Sequence, residues 1–380
     1  MTLTFELLAS DGAARRGRLH TPHGVVETPA FMPVGTLGAV KGVAPWQLVS
    51  AGASIMLSNL YHLALRPGIE VVEALGGLHR FAGWEAPILT DSGGYQVFSL
   101  AAQRTIREQG VHFRSHVDGS PMLLTPESVV DMQRRLGVDV AMMLDECPPW
   151  PSTREQTAAA WQRTLRWAQR AREEWQRQPG PGGLFGIVQG GVYSDLRLQA
   201  AADLRDLDFA GYAIGGVSVG EPAHLRRSVV EHTAPQLPAD RPRYLMGVGY
   251  PEDILHAVAH GVDLFDCVLP SRNARHGLLF TRGGLLRIKN SRYRQDPLPP
   301  DPECRCPTCS RISRAFLHHL VRCGELTGAV LATVHNLHHY LDFMADLRQA
   351  IQSGALQEMA AESAGRLATS GPAEEETIAS

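Results

Sequence analysis

The chain has 380 residues, of which 44% are hydrophobic and 20% are charged, and its formal net charge is −3. This length suits one large α/β barrel with an insertion, or two ordinary domains, with enough apolar residues for a sizeable core. We expect no signal peptide, because residues 1–17 have no apolar core followed by a cleavage site. We expect no membrane span, because no apolar run approaches the roughly 18–20 residues that a bilayer requires. The small net charge argues against a protein that binds nucleic acid over its whole surface.

Eight short apolar segments are predicted to be strands. Several lack polar alternation, which is typical of parallel strands buried on both faces. The segments are Phe31–Thr36, Ser54–Asn59, Pro87–Asp91, Val140–Asp145, Leu184–Gln189, Tyr212–Gly216, Tyr244–Gly247 and Leu264–Leu269. Helical patterns separate most of them, so the sequence predicts an α/β fold of the (β/α)8 TIM barrel type. A doubly wound open sheet is the alternative.

The helices between these strands have recognisable ends. Thr125, followed by Pro126, predicts the start of a helix that ends near Leu136. Ser152 is predicted to cap a long helix that ends near Arg177, before a segment rich in proline and glycine. The later helices are predicted over Ser194–Leu207, Pro222–Ala234, Pro251–His260 and Leu337–Ile351.

Three cysteines and a histidine near the C-terminus have the spacing of a metal site. Cys304, Cys306 and Cys309 form a C-x-C-x2-C pattern, and His335 follows 26 residues later. Thiolates and imidazole suit Zn²⁺, and four such ligands complete its tetrahedron, so the ion would be structural. Free or disulfide-paired thiols are the alternative, although three cysteines this close are too crowded for ordinary disulfides. The other cysteines are scattered, which fits a reducing cytoplasm.

These signals also predict the organisation of the chain. Residues 1–360 are expected to form a single catalytic barrel, with a zinc-binding insertion at about 292–335. Residues 361–380 are rich in alanine, glutamate and serine, and we expect them to be disordered.

Polar residues stand where several predicted strands end. In a barrel of this kind the carboxyl ends of the strands form one mouth, which holds the active site. Asp91, Asp145, Gln189 and Asp266 are such residues, and the predicted sixth strand ends in Gly215 and Gly216. An aspartate after a strand is often only a helix cap or turn former, but that alternative weakens when three strands of eight end this way.

Two of these positions suggest recognition of a flat, polar ring. The segment Asp91–Gln96 reads DSGGYQ, in which the glycines allow close approach of the backbone and Tyr95 offers a stacking face. Asp145 could accept two N–H donors and Gln189 could both donate and accept, with main-chain contacts from Gly216 and Val217. The alternative is a glycine-rich turn with Tyr95 in the core.

Asp266 is followed by an arginine-rich stretch. Residues 271–294 contain seven Lys or Arg and no Asp or Glu. A carboxylate can act as a covalent nucleophile at an anomeric carbon, and Arg272 and Arg275 could bind the phosphates of a polynucleotide. The alternative is that Asp266 caps a helix and the arginines lie on a solvated face.

Together these motifs resemble the bacterial tRNA-guanine transglycosylase (queuine tRNA-ribosyltransferase) family over nearly the whole chain. The matching segments are 28–36, Asp91–Gln96, Gly190–Gly191, Gly215–Glu221, Tyr244–Gly249, Asp266–Pro270, the four zinc ligands and Asn336. The resemblance implies a barrel with a zinc-bearing insertion, and a pentosyltransfer reaction of queuosine biosynthesis. In it, the wobble guanine of tRNAs with a G-U-N anticodon is exchanged for preQ1, 7-aminomethyl-7-deazaguanine. The implied tRNA partners are the Asp, Asn, His and Tyr acceptors.

The resemblance also implies roles for individual residues. Asp266 resembles the nucleophile that attacks ribose C1′ and forms a covalent intermediate, and Asp91 resembles the general acid/base. The base-binding positions are Ser92, Tyr95, Asp145, Gln189, Gly216, Val217 and Met246, with Tyr95 and Met246 on the two ring faces. Arg272 and Arg275 resemble contacts to the anticodon loop. This agrees with the need to flip a base before its glycosidic bond can be reached.

Some positions bear on specificity and assembly. Cys147 and Val219 resemble the bacterial pocket, whose bulk leaves no room for the extra ring of queuine. Val217 stands where bacterial members usually carry leucine, and a small effect is expected. The family often forms a homodimer, and Ile312, Phe316 and His319 match its interface on what is predicted to be one helix face.

Three other functions compete with this hypothesis. A non-catalytic RNA-binding subunit would be expected to lack Asp91 or Asp266, and both are present. A glycoside hydrolase with two aspartates does not explain the cysteine cluster or the arginine stretch. A metal-dependent amidohydrolase would need a His-x-His on the first strand, where this chain reads FMPV at residues 31–34.

Overall fold

A computed structural model describes residues 3–100 and 104–362 of the chain. Within this part, no helix is long and apolar enough to cross a membrane. The tail that was predicted to be disordered falls outside the described residues from residue 363 onward. Residues 356–362 are helical, so the first two residues of that predicted tail still belong to a helix.

The strands of the described chain, in order, are β1 (Thr4–Asp11), β2 (Ala14–Thr21), β3 (Gly24–Thr28), β4 (Ala30–Pro33), β5 (Met56–Ser58), β6 (Ile88–Thr90), β7 (Arg104–Arg107), β8 (Gly110–Arg114), β9 (Pro121–Leu124), β10 (Val140–Met142), β11 (Gly183–Val188), β12 (Gly211–Ile214), β13 (Arg243–Leu245), β14 (Leu264–Cys267), β15 (Leu278–Thr281) and β16 (Gly284–Arg287).

The helices are α1 (Pro45–Ser50), α2 (Leu60–Leu65), α3 (Ile69–Ala74), α4 (Leu78–Ala82), α5 (Gly94–Leu100), α6 (Pro126–Leu136), α7 (Arg154–Arg177), α8 (Ser194–Asp206), α9 (Ala223–Thr233), α10 (Pro251–Ala259), α11 (Leu269–Arg275), α12 (Arg314–Cys323) and α13 (Leu326–Ser353). Short 3-10 turns lie at Ala234–Gln236 and Ser291–Tyr293.

Eight parallel strands form a barrel. Neighbouring strands of the barrel pair in the order β4, β5, β6, β10, β11, β12, β13, β14. The last strand, β14, pairs with the first, β4, and so closes the ring. A bridge between Val34 and Leu57 joins β4 to β5, with a hydrogen bond of 2.7 Å from the Gly35 amide to the Leu57 carbonyl. The ring confirms the predicted (β/α)8 barrel, and the open sheet is excluded because its two edges would not pair.

All eight predicted strands are present, and each ends earlier than the sequence suggested. The third ends at Thr90 and the fourth at Met142, one and three residues before the aspartates that were assigned to them. The apolar run continues past the end of the fourth strand, since Met143 and Leu144 are also buried. Asp91 and Asp145 therefore lie just beyond the sheet, at the mouth.

The predicted helix ends are partly right. The side chain of Thr125 accepts a hydrogen bond of 3.1 Å from the Ser128 amide, as expected for a cap. The prediction for Ser152 was wrong: Thr153 caps α7, accepting from the Gln156 amide at 3.2 Å, whereas the Ser152 hydroxyl donates to the Pro149 carbonyl.

The last helix begins eleven residues earlier than Leu337, at Leu326. Its buried face already includes Ala332 and Thr333, and the pattern continues through Tyr340 to Ile351. His335 therefore lies inside a helix and not in a loop before one. Since α13 packs on the barrel core and also carries the fourth predicted zinc ligand, the insertion and the barrel share this helix.

Small sheets lie at both ends of the barrel. β1–β3 precede the barrel and are tied to α13, for example by a hydrogen bond of 2.9 Å from Arg348 to the Pro29 carbonyl. β7–β9 belong to the connection between β6 and α6 on the mouth side. Between β14 and α13 the insertion has its own apolar cluster, which includes Leu279, Ile288 and Leu317.

Candidate active site and metal centre

Asp266 lies near the end of β14, at the mouth of the barrel. The hydroxyl of Tyr244 donates to its Oδ1 at 2.6 Å, and the Gly247 amide donates to the same oxygen at 2.7 Å. Burial raises the pKa of Asp266, and these two hydrogen bonds oppose that rise. Among the described residues no donor reaches Oδ2, so this carboxylate is held firmly through one oxygen only.

Asp91 follows β6, and it lies close enough to Asp266 for the charge of that carboxylate to act on it. Its Oδ2 accepts from the Asn59 amide, and its Oδ1 accepts from the backbone amides of Leu60 at 2.9 Å and Gly93 at 3.2 Å. Burial raises the pKa of Asp91 to about 6, despite these hydrogen bonds and with a contribution from the Asp266 charge. A carboxyl with a pKa near neutrality can both give and take a proton under physiological conditions.

Three polar side chains form a hydrogen-bonded chain beside these aspartates. The Gln189 amide donates to Asp145 Oδ2 at 2.6 Å, and the Ser92 hydroxyl donates to Asp145 Oδ1 at 3.3 Å. All three are buried, and burial raises the pKa of Asp145 to about 6. Gln189 Oε1 is buried without a hydrogen-bond partner in the described chain, so this group is prepared to accept a donor from a ligand.

Gly216 packs directly against the hydrogen-bonded side chains of Ser92, Asp145 and Gln189. Its φ is +64°, and a Cβ added there would lie 2.3 Å from Gln189 Oε1. Only glycine fits that conformation and that spacing. Because it has no Cβ, the backbone that follows β12 can approach the side-chain amide of Gln189 closely. The Gly216 carbonyl accepts from Arg197 at 3.3 Å, and Val217 beside it is buried.

The two predicted ring-stacking residues differ in exposure. Tyr95 is the second residue of α5 and has 51% of its surface exposed; partial burial raises its pKa and the Glu221 charge adds to that rise, which places it at the same mouth. Met246 follows β13, is partly buried against the core, and its amide donates to the Ile214 carbonyl at 3.3 Å. Cys147 is buried, and burial raises the pKa of its thiol to about 12, so it stays protonated.

Arg272 and Arg275 lie on α11, directly after β14. Both are half-buried, and Arg275 donates to the Ser271 carbonyl at 2.9 Å. Burial lowers the pKa of Arg275, and the neighbouring Arg272 charge adds to that effect. A pair of like charges at this spacing favours an anionic partner such as a phosphate.

The four predicted metal ligands come together in the insertion. One ligand atom from each of Cys304, Cys306, Cys309 and His335 lies within 4.8 Å of all the others. His335 Nδ1 is 3.2 Å from the Cys309 sulfur and 3.6 Å from the Cys306 sulfur. Its Nε2 lies 2.8 Å from the Phe280 carbonyl, which can only accept, so Nδ1 keeps its lone pair for a metal. The cluster could bind a metal such as zinc.

Asn336 joins this centre to the barrel. Its side-chain amide donates to the carbonyls of Pro270 at 2.9 Å and Leu278 at 3.0 Å, and its Oδ1 accepts from the Phe280 amide at 3.0 Å. It follows His335 directly on α13 and holds the helix α11 that carries the two arginines. The cysteine cluster is therefore linked to α11 through two adjacent residues of α13.

Several residues of this region were not selected from the sequence. Asn59 donates a hydrogen bond to Asp91, and Tyr244 donates one to Asp266. Both residues lie at the ends of predicted strands, and a polar residue at such a position was the available signal. Glu221 accepts from the amides of Ser218 at 2.6 Å and Val219 at 2.9 Å. It was part of the segment Gly215–Glu221 but received no role.

Arg197 had no sequence signal, because an arginine on an amphipathic helix normally points to solvent. Here it is fully buried and donates to the carbonyls of Gly191, Val188 and Gly216 at 2.8, 3.0 and 3.3 Å. Burial lowers its pKa to about 10. It holds together the two loops that carry Gln189 and Gly216.

The predicted interface stripe is not a single helix face. Ile312 precedes α12, whose cap is Ser313, and it packs against the apolar cluster of the insertion. Phe316 is 48% exposed and His319 is also exposed. The exposed part of the stripe is thus limited to the latter two residues.

The comparisons with known proteins agree with this architecture. A family model described as "Queuine tRNA-ribosyltransferase" matches residues 10–368. The protein of that name from Aromatoleum aromaticum is 56% identical over 359 residues, covering 94% of this chain and 97% of its own. The one from Thioalkalivibrio sulfidiphilus is 56% identical over 364 residues, covering 96% and 98%. The chain therefore belongs to the queuine tRNA-ribosyltransferase family, whose members are pentosyltransferases.

Proposed function

We propose that this chain exchanges the guanine at the wobble position of tRNAs with a G-U-N anticodon for preQ1, in queuosine biosynthesis. The expected acceptors are the tRNAs for Asp, Asn, His and Tyr. The observation that carries the proposal is the convergence of two carboxylates, buried Asp91 and half-buried Asp266, with the Ser92–Asp145–Gln189 chain at one mouth. The family to which the chain belongs supports the tRNA substrate.

In the first half of the reaction, Asp266 attacks C1′ of the flipped nucleotide. A C1′–O bond to the carboxylate forms, the glycosidic bond breaks, and guanine leaves with a proton from Asp91. The hydrogen bonds from Tyr244 and Gly247 to Oδ1 orient the carboxylate, so Oδ2 is the atom that we assign to the attack.

In the second half, the incoming base displaces the carboxylate. Its ring nitrogen bonds to C1′, the bond to Asp266 breaks, and Asp91 takes the proton. The pKa of Asp91, about 6, suits a group that must act as acid in one half and as base in the other.

The base is recognised by hydrogen bonds and by stacking. We assign Asp145 and Gln189 to its polar edge, together with Ser92 and the backbone at Gly216 and Val217. Tyr95 and Met246 cover its two faces. The unpartnered Gln189 Oε1 supports this assignment, because a ligand donor would satisfy it.

Selection of preQ1 over queuine depends on space in the same pocket. Cys147 is buried and protonated, and with Val219 it fills the region that the larger substituent of queuine would need. A pocket of fixed bulk rejects a larger ligand, because a packed core does not readily expand.

We assign the anticodon-loop contacts to Arg272 and Arg275, and one structural Zn²⁺ to the cysteine cluster. Bound zinc would cross-link the Cys304–Cys309 loop to α13 and supply no chemistry, since four protein ligands fill its shell. The reduced thiols that zinc requires fit a cytoplasmic enzyme. Exposed Phe316 and His319 support a homodimer.

The test is incorporation of labelled guanine, preQ1 and queuine into unmodified tRNA-Tyr by the purified protein. Wild-type enzyme should use guanine and preQ1 and refuse queuine. Asp266→Ala should keep the fold and lose exchange by at least about 10³-fold, because the nucleophile is gone. Near wild-type exchange in this variant would remove Asp266 from the mechanism. Tight tRNA binding without incorporation by the wild type would favour a non-catalytic RNA-binding subunit.

The zinc assignment is tested by Cys306→Ser. Metal analysis should find less zinc, and tRNA affinity should fall before guanine affinity does, since Asn336 and His335 share one helix turn. Cys323→Ser, an exposed cysteine outside the cluster, is the matched control. A folded Cys306→Ser protein with unchanged tRNA affinity would refute the link between metal and anticodon contacts.

A further inference from the structure

A second group of metal-binding side chains lies on the outside of the barrel, at the C-terminal ends of α9 and α10. It consists of Glu231 on α9, His256 on α10, and His260, which follows α10 directly. These helices lead back to the starts of β13 and β14, so the group lies at the end of the barrel opposite the mouth. One ligand atom from each residue lies within 4.8 Å of the others.

Hydrogen bonding fixes the tautomer of one histidine of this group and leaves a buried nitrogen of the other without a hydrogen bond. His260 Nδ1 lies 2.7 Å from the His256 carbonyl, which can only accept, so neutral His260 carries its lone pair on Nε2. His256 Nε2 is buried and has no hydrogen-bond partner among the described residues, although it lies 3.3 Å from Glu231 Oε1. A buried nitrogen facing a carboxylate without a hydrogen bond is a position that a cation would satisfy.

The ring geometry permits coordination. His256 and His260 are four residues apart, and their rings are tilted by 38° with centroids 4.4 Å apart. A tilt of this size brings the two ring planes together on one side of the pair, where both rings can approach the same ion. Imidazole and carboxylate together suit divalent transition metals, and two histidines with one glutamate are a known zinc ligand set.

Another histidine pair in the chain shows the contrast. His23 and His79 also meet a carboxylate, that of Asp139, but their rings are stacked at 3.5 Å with 16° between the planes. One ion cannot lie in the planes of two stacked rings. One nitrogen of each ring, His23 Nδ1 and His79 Nε2, is 3.0 Å from an Asp139 oxygen, so that cluster is already satisfied as a hydrogen-bonded unit.

We propose that Glu231, His256 and His260 bind a divalent transition-metal ion of the Zn²⁺ type. The ligand atoms are Glu231 Oε1 and the two Nε2 atoms, and water completes the shell. The nearby Arg227 does not oppose the cation strongly, because its guanidinium is paired with Asp253 at 2.9 Å. The ion joins α9 to α10, and it is separate from both the cysteine cluster and the residues at the mouth.

The experiment is a titration of the full-length protein with Zn²⁺, and with Co²⁺ as a spectroscopic probe, after weakly held metal has been removed with a chelator. We expect one further equivalent of metal beyond that in the cysteine cluster. Its Co²⁺ spectrum should lack the sulfur-to-cobalt charge-transfer band that thiolate ligands produce. Added Zn²⁺ should also raise the melting temperature.

The variants are Glu231→Gln, His260→Ala and the double change of His256→Ala with His260→Ala. Each should weaken this equivalent by more than roughly 10-fold, since second-shell changes alone cost 10- to 100-fold. His224→Ala, an exposed histidine on α9, should bind as the wild type does. The proposal is overturned if the wild type takes up no further equivalent, or if the folded double variant still binds it with wild-type affinity.

Discussion

Buried aspartates occur at both ends of the barrel, and their partners are different. At the mouth, Asp91 and Asp145 are hydrogen-bonded by neutral amides and a hydroxyl, and burial raises the pKa of each to about 6. At the opposite end, burial also opposes ionisation of Asp139. There, however, hydrogen bonds from His79, the Ile88 amide and His23 outweigh it and hold the pKa at about 2.

The comparison shows that burial alone does not identify a functional carboxylate. Asp139 has both oxygens engaged, and its negative charge is shared by two imidazoles and two backbone amides. This arrangement stabilises the fold and leaves the carboxylate no capacity for a ligand. The mouth aspartates carry a charge that the protein compensates poorly, so each can bind a donor or move a proton at a cost in stability.

The largest expected difference between the two ends is in exchange activity. Asp91→Asn should lower the rate of guanine exchange by about 10²- to 10⁴-fold, because the amide cannot transfer the proton. Affinity for tRNA should remain near that of the wild type. Asp118→Asn, at an exposed carboxylate, is the control. Exchange kinetics at saturating tRNA measure the effect, and a rate close to that of the wild type would contradict the assignment.

The next effect is in stability. Asp139→Ala should lower the free energy of unfolding by about 3–5 kcal/mol, because it leaves two imidazoles and the backbone amides of His23 and Ile88 without their acceptor. Exchange per folded molecule at low temperature should not change. Denaturant unfolding measures the loss, and a value below about 1 kcal/mol would show that Asp139 is not a stabilising centre.

The smallest effect has the opposite sign. Folding raises the pKa of Asp145 from its ordinary 3.8 to about 6, so ionisation destabilises the folded state as pH rises through that range. Asp145→Asn should therefore raise the free energy of unfolding by on the order of 1–3 kcal/mol at neutral pH. The gain should vanish below about pH 4, where both states are protonated.

The same variant should bind guanine poorly, since it loses the carboxylate that accepts the N–H groups of the base. Melting temperatures at several pH values measure the change in stability, and guanine affinity measures the loss of base binding. A variant that is less stable than the wild type at neutral pH would show that the ionised carboxylate is well compensated in the free protein.

Much of this architecture could be predicted because it depends on local patterns. Continuous apolar runs such as Leu184–Gln189 predicted buried parallel strands, and the direction of those strands placed Asp91 and Asp145 at one mouth. The spacing of the three cysteines predicted their cluster. In each of these cases the signal lies within a few neighbouring residues.

The rest depends on contacts between distant parts of the chain. Asp139 meets His23 across 116 residues, and the two loops held by Arg197 converge only in the folded barrel. The early start of α13 was missed because its first turns were assigned to a metal-binding loop. Such errors are expected wherever tertiary packing, and not local propensity, decides the conformation.

His335 and Asn336 are neighbours on one helix but point about 100° apart, as consecutive helical residues do. One side chain faces the cysteine cluster and the other holds the carbonyls of Pro270 and Leu278. A shift of α13 by a single residue would break both sets of contacts, so the insertion cannot slide independently of the barrel. We therefore expect the surface around α11 to meet its ligand with little rearrangement, which lowers the entropic cost of association.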